Sequence, residues 1–189
     1  WVLKCDIRMF FASVDQRILV EILKKHIQDK DVIYRFESVI GSFYSGRQGV
    51  GLPLGNLTSQ LLVNIYMNEF DQFIKHKLKV KYYIRYADDF VVLSHDMAEL
   101  ETLLSVFAKF MEERLKLSLH PGKVFIKTFS SGVDFLGWVH FPDHRVLRTA
   151  TKRRMFRALI GSSNQQRTDS YLGLLKFGNT FKLRKKLTI

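Results

Sequence analysis

Cysteine is almost missing from this chain: Cys5 is the only one in 189 residues, so no internal disulfide is possible. That excludes the stapled scaffolds of small secreted domains and favours a reducing, cytoplasmic setting. Beside Asp6 in an apolar run, Cys5 reads as a small buried hydrophobe, not a nucleophile. No apolar run approaches the ~20 residues that span a bilayer, and no signal peptide is visible, so no membrane partner is expected. Internal repeats and low-complexity tracts are lacking too. The six histidines show no metal-ligand spacing. Acidic residues nearly vanish from the last quarter. Residues 142–189 hold 12 Lys and Arg against 2 Asp and Glu, a balance of +10, whereas residues 1–141 hold 18 against 16, a balance of +2. Such a surplus is the footprint of a polyanion-binding segment. Tyr171, Leu172, Leu174, Leu175, Phe177 and Phe181 interleave with these bases, so the segment is expected to fold. With 47% hydrophobic and 13% aromatic residues, the chain has enough apolar side chain for a proper core.

Against these absences stand two adjacent aspartates in Tyr86-Ala87-Asp88-Asp89. Tyr82-Tyr83-Ile84-Arg85 leads in and Phe90-Val91-Val92-Leu93 leads out, a hairpin with two carboxylates at its tip and apolar flanks that pin it to a buried sheet. Like charges held side by side repel, and a divalent cation relieves them. A third carboxylate, Asp6, ends the apolar run Val2-Leu3-Lys4-Cys5 and is followed by Phe10-Phe11. Three carboxylates on neighbouring strand ends suit two Mg²⁺ ions, with Mn²⁺ a possible substitute, clamping the attacking and leaving oxygens of a phosphoryl transfer. Arg85 either contacts nucleic acid or steadies the hairpin.

Elsewhere the pattern predicts a strand over residues 2–6 and a helix capped by Asp15 that runs to about Lys30. A second helix capped by Asp31 turns Val32, Phe36, Val39, Ile40 and Phe43 inward. A long helix runs from about Leu57 to Lys77, and another opens at a capping box, Asp96-Met97-Ala98-Glu99, and ends near Arg114. Short strands follow from Leu117 to Trp138, then a hairpin about Pro142-Asp143. The tail is mainly helical, with a small-and-polar loop from Gly161 to Thr168. The order is that of an α+β fold, an antiparallel sheet with helices packed on one face and its other face free for a duplex.

Five blocks in this order and spacing resemble the reverse transcriptases. Asp6 with Phe10-Phe11 resembles the first catalytic block, Gly51 to Gln60 (GLPLGNLTSQ) the nucleotide- and template-contacting block, and Tyr86 to Asp89 the signature box. Lys123, after Leu115 to Gly122, resembles the block whose lysine faces the triphosphate, and Phe135-Leu136-Gly137-Trp138 the primer-grip hairpin. The resemblance implies a palm over residues 1–141 and a basic, nucleic-acid-binding thumb over 142–189. It implies Asp6, Asp88 and Asp89 as catalytic and metal-holding, with the Ile7 carbonyl completing one metal shell and Lys123 assisting the leaving pyrophosphate. By the same resemblance Phe11 is a gate against the ribose 2′-hydroxyl, and Leu54, Gly55, Ser59 and Gln60 line the nucleotide and template pocket. Phe135, Leu136, Gly137 and Trp138 then grip the primer, and Lys152, Arg153, Arg154 and Arg157 meet phosphates. The implied partners are an RNA template, a DNA or RNA primer and dNTPs. The Gly-Asn-Leu-Thr-Ser-Gln version of the middle block, with Leu54 ahead of it, is similar to that of diversity-generating retroelements, which implies error-prone copying opposite adenine and a basic accessory protein. The alternatives are a group II intron-like enzyme or an inactive template-primer-binding fragment. A fingers region normally precedes the first block and the chain begins at Trp1, so a piece without fingers is expected.

Overall fold

In the computed structural model, residues 1–44, 46–159 and 164–187 are described. They fall into two compact units, Trp1–Ile126 and Lys127–Ile189. The division comes earlier than the expected boundary at 141/142, because Trp138 before residue 141 and Leu147 after it share a core with the helices that follow.

In the first unit, β1 (Val2–Asp6) leads into a one-turn helix α1 (Phe10–Ser13), then α2 (Gln16–His26), α3 (Lys30–Gly41) and α4 (Leu57–Gln72). A wider helical turn over Phe73–Lys77 continues α4, with the Leu78 N–H donating to the Phe73 carbonyl at 3.0 Å. The hairpin β2 (Tyr83–Tyr86) and β3 (Asp89–Leu93), the helix α5 (Met97–Leu115) and the strand β4 (Phe125–Lys127) complete the order. The sheet runs β2-β3-β1-β4, and β3 is antiparallel to both β1 and β2.

Period-2 alternation decides the faces. Leu3, Cys5, Phe90 and Val92 point into the helical core, which Phe70 centres with edge-on contacts to Phe90, Phe107 and Tyr83. Each such side chain contributes about 1.5–3 kcal/mol by leaving water. Val2, Lys4, Asp6, Asp89, Val91 and Leu93 belong to the opposite face. On the α+β pattern this face is expected to be free, but it is not wholly so, since Val2 and Val91 are buried on it. Only toward the β2 edge do Ile84 and Tyr86 stay exposed.

Caps set the helix starts. Asp15 accepts from the Ile18 N–H at 3.0 Å, as predicted. Asp29, not Asp31, caps α3, accepting from the Asp31 and Val32 N–H groups at 2.8 and 3.1 Å. With that start, α3 buries Ile33 and Ile40, whereas Val32 and Val39 are exposed. Asp96 caps α5 through the Ala98 N–H at 2.9 Å. Glu99, expected to close a box on Asp96, accepts instead from Ser94 Oγ, which itself accepts from the Asp96 N–H.

The second unit carries β5 (Val133–Phe135), β6 (Trp138–His140) and β7 (Arg145–Leu147) as an antiparallel sheet, then α6 (Thr149–Leu159), α7 (Gln165–Leu175) and α8 (Phe181–Leu187). Trp138, Leu147, Met155 and Leu175 form its core. Gly178 allows the close approach this needs: a Cβ there would run into the Trp138 ring and lie 3.0 Å from the Arg145 carbonyl. Of the expected loop from Gly161 to Thr168, residues 161–163 lie outside the described residues. The rest is not loop, because Asn164 caps α7 through the Arg167 N–H at 3.1 Å.

Candidate active site

Asp6 and Asp89 lie opposite each other in the register of β1 and β3, at the end of the sheet where β1 finishes and the hairpin turns. The Asp6 backbone is held on both sides, by β3 and by the His120 N–H, which donates to its carbonyl at 2.8 Å. Asp88 sits at the tip between β2 and β3, and its carbonyl accepts from the Ile7 N–H at 3.1 Å. The preceding residue, Ala87, has a positive φ of 52°. A left-handed residue without a glycine turns the chain tightly enough to place both acids at the tip. The structure therefore brings Asp6, Ile7, Asp88 and Asp89 together from residues 82 positions apart (88 − 6).

Lysines stand among these acids. Lys123 Nζ donates to both Asp6 carboxylate oxygens at 3.1 Å. Lys4 Nζ lies 3.1 Å from Asp89 Oδ2. Asp89 Oδ1 is buried without a hydrogen-bond partner. Burial raises the Asp88 carboxyl above its ordinary range, reinforced by the charge of Asp6 and offset by its own backbone hydrogen bond and by Lys123 and Lys4. Burial also raises Asp89, opposed by Lys4 and reinforced by Asp6 and Asp88. Cys5, next to Asp6 on β1 and opposite Phe90, is pushed up to about 12 by burial and by the Asp89 charge, so it stays a thiol. Among the described residues no three His, Cys, Asp or Glu side chains gather closely enough to share one ion. The donor set still fits a hard divalent cation. It is all carboxylate oxygen, one buried oxygen has no partner, and two of the acids are held in a state that a nearby positive charge would relieve.

The middle block is stitched to the first. The Leu52 N–H donates to the Phe11 carbonyl and the Gly51 N–H to the Val14 carbonyl, each at 2.7 Å. Gln16, which sequence reasoning passed over, is buried and its Nε2 donates to the Gly51 carbonyl at 2.9 Å and the Phe43 carbonyl at 3.2 Å. A polar residue at the first position of a capped helix was the available signal. Phe10 is buried while Phe11, edge-on to it at 5.6 Å, is half-buried. The pair thus divides as a core residue and a residue with an accessible flank. Leu54 is 78% exposed, and Gly55, with φ of 90°, and Gln60 are also exposed. Ser59 departs from expectation: it is buried at the start of α4, where helical periodicity turns it inward with Leu62 and Val63, so it offers no contact surface.

In the second unit, Phe135 and Trp138 are buried, Trp138 as part of the core, and of the four only Leu136 and Gly137 between them reach the surface. Those two occupy the tight turn with φ of 53° and 82°. Lys152, Arg153, Arg154 and Arg157 are all exposed on α6, whose buried residue is Met155.

Comparison with known proteins agrees with this arrangement. Residues 1–140 match the profile of the family described as reverse transcriptase (RNA-dependent DNA polymerase). The chain is 27% identical to protein YkfC of Escherichia coli K12, covering 80% of this chain and 48% of that protein. It is 23% identical to the group II intron-encoded protein LtrA of Lactococcus lactis subsp. cremoris, over 82% of this chain and 36% of that one. It thus spans about half or less of the length of these relatives. In fold it is similar to the foamy viral protease-reverse transcriptase solved with an RNA/DNA hybrid, with a TM-score of 0.54 and 21% identity over 99% of this chain and 23% of that one. Telomerase from Candida albicans gives a TM-score of 0.53 at 14% identity, over 78% of this chain and 31% of that one. The match over residues 1–140, most of the chain, means that the chain belongs to the reverse transcriptase (RNA-dependent DNA polymerase) family.

Proposed function

We propose that the protein containing this chain copies an RNA template into DNA by nucleotidyl transfer from a dNTP to a primer 3′-hydroxyl. The observation that carries this reading is the meeting of Asp6, Asp88 and Asp89 at one sheet end, in a chain of this family. Asp6, Asp88, Asp89 and the Ile7 carbonyl would hold two Mg²⁺ ions. When bound, such ions lower the pKa of an attacking hydroxyl and neutralise charge on the leaving pyrophosphate.

The chain's own residues supply the rest. Lys123, 56% exposed and resting on Asp6, is free to swing toward a triphosphate and neutralise the departing phosphate oxygens. Lys4 holds one Asp89 oxygen, and the other is buried without a hydrogen-bond partner. Phe11, held through its carbonyl by Leu52, presents a bulky flank against a ribose 2′-hydroxyl. Leu136 and Gly137 are the exposed turn available to a primer strand, and the exposed bases of α6 suit phosphates.

The finer proposal is error-prone copying in a diversity-generating retroelement, with a basic accessory protein. Its support is Leu54, an exposed apolar side chain where an amide would orient the incoming nucleotide. A leucine only packs, and without an orienting hydrogen bond geometric selection weakens. The second reading, a group II intron-like enzyme, draws support from the similarity to a group II intron-encoded protein. Primer extension on an RNA template by the intact protein tests the reaction, with Asp88→Asn expected to lower it at least about 10³-fold. Full activity of that variant would remove the proposed chemistry. Sequencing the cDNA separates the two finer readings: errors concentrated opposite adenine belong to the first, uniformly low error to the second.

A further inference from the structure

Arg85 makes no use of its charge toward solvent. Its side chain is 9% exposed, on the helix-facing side of β2. Nε and Nη2 grip the two carboxylate oxygens of Asp71, near the end of α4, at 2.8 and 2.5 Å. Tyr83 Oη donates to the same Asp71 Oδ1 at 2.7 Å. The remaining nitrogen, Nη1, donates to the Ala87 carbonyl at 3.0 Å and to Asn64 Oδ1, also on α4, at 3.2 Å. A guanidinium held bidentately by one helix thus reaches across to the hairpin turn.

What it holds there matters for Asp88. The Ala87 carbonyl belongs to the peptide plane before Asp88, and the Asp88 carbonyl to the plane after it. Arg85 fixes the first plane and the Ile7 N–H, at 3.1 Å, fixes the second. The two soft dihedrals of a residue are the rotations between its flanking planes. With both planes tied to different elements, the direction of the Asp88 Cα–Cβ bond is set. Ala87 itself has φ of 52°, a conformation that an L-residue keeps only when its surroundings impose it. Asp71 and Arg85 are therefore coupled through one carbonyl to the orientation of a site carboxylate.

We infer that Asp71 and Arg85 form a positioning relay that sets the aim of the Asp88 carboxylate, a role that rests on the proposed metal-dependent nucleotidyl transfer. Arg85 is a positioning residue and touches no reacting atom. Lysine in its place keeps the charge but lacks the planar fork, so it cannot grip Asp71 and the Ala87 carbonyl together. The test uses the intact protein with Arg85→Lys, Asp71→Asn and Asp88→Asn. Three quantities are measured: kcat and KM in single-nucleotide extension, Kd for an RNA/DNA template–primer, and binding of Mn²⁺ alone by electron paramagnetic resonance. For Arg85→Lys the expectation is a kcat lowered about 10–100-fold, a template–primer Kd unchanged within about twofold, and Mn²⁺ binding weakened several-fold. Asp71→Asn is expected to move the same quantities in the same direction, and it carries the test alone if Arg85→Lys does not fold. Normal kcat and Mn²⁺ binding with only a lowered Tm would make the relay purely structural. A weakened template–primer Kd with unchanged kcat would make Arg85 a nucleic-acid contact. Either result overturns the relay. An active Asp88→Asn would instead overturn the reading beneath it, whatever Arg85 does.

Discussion

At Asp88 the fold carries a charge that its surroundings disfavour. Burial, with Asp6 alongside, raises its carboxyl above the ordinary 3.8. A carboxyl whose folded pKa is raised binds its proton more tightly in the folded state than in the unfolded one. Stability therefore falls as pH rises from the ordinary value through the raised one, and stays lower at neutral pH. Asp88→Asn removes that cost. The metal-free variant is expected to melt roughly 2 °C above the parent at pH 7, the gap closing as pH falls through the raised value and below the ordinary 3.8, where the carboxyl is protonated in the folded and the unfolded state alike. Differential scanning calorimetry in chelator across that range checks the sign, and a gap that widens toward acid would refute it. Phe11 sits under a different constraint: it packs against the core beside the buried Phe10 but keeps one flank accessible. Phe11→Val is expected to raise ribonucleotide incorporation relative to deoxyribonucleotide at least about 10-fold. The ratio of the two kcat/KM values in primer extension measures it, and an unchanged ratio would return Phe11 to the core.

Among the elements, those that carry their own signal were legible. The hairpin announced itself through two apolar flanks and a four-residue tip, and its register puts Asp6 opposite Asp89 as three converging acids require. The helices whose caps stand alone, at Asp15 and Asp96, start where an aspartate precedes an apolar period. Two aspartates close together at 29 and 31 defeated the same rule, because spacing does not say which side chain turns back onto the backbone. Of the face expected inward on α3, Ile40 is buried as expected, whereas Val32 and Val39 are exposed and Ile33 is buried in their place. Illegible altogether were the roles given only by tertiary partners. Lys4 looks like any strand lysine until Asp89 lies beside it. Asp71, Gln16 and Asn64 act through groups 14 to 35 residues away in sequence. The earlier unit boundary has a similar origin: charge marks residue 142, but the packing of Trp138 against Leu147, Met155 and Leu175 joins the short strands to the helices that follow.

Over the whole molecule, charge is divided as unequally between the structural units as along the sequence. Residues 127–189 hold 13 Lys and Arg against 3 Asp and Glu, a balance of +10 of the total +12. How that charge is displayed on α6 decides what it does. At about 100° per residue, Arg153, Arg154 and Arg157 fall within an arc of about 100°, centred opposite the side that carries Met155 and Leu159. Lys152 falls on the apolar side, at the first turn. One compact arc of arginines suits a single stretch of phosphate backbone, and each phosphate it neutralises releases a counterion. Replacing Arg153, Arg154 and Arg157 together by Gln is expected to flatten the slope of log K against log salt for an RNA/DNA hybrid by about 2–3, and Lys152→Gln by less than about 1. Binding isotherms between ~50 and ~200 mM salt give both slopes. Equal flattening by all four single substitutions would mean that the charge acts as a diffuse cloud. A slope unmoved by the triple variant would mean that this helix does not meet the duplex, and the phosphate contacts would have to be sought on α8, where Lys182, Arg184 and Lys185 are exposed.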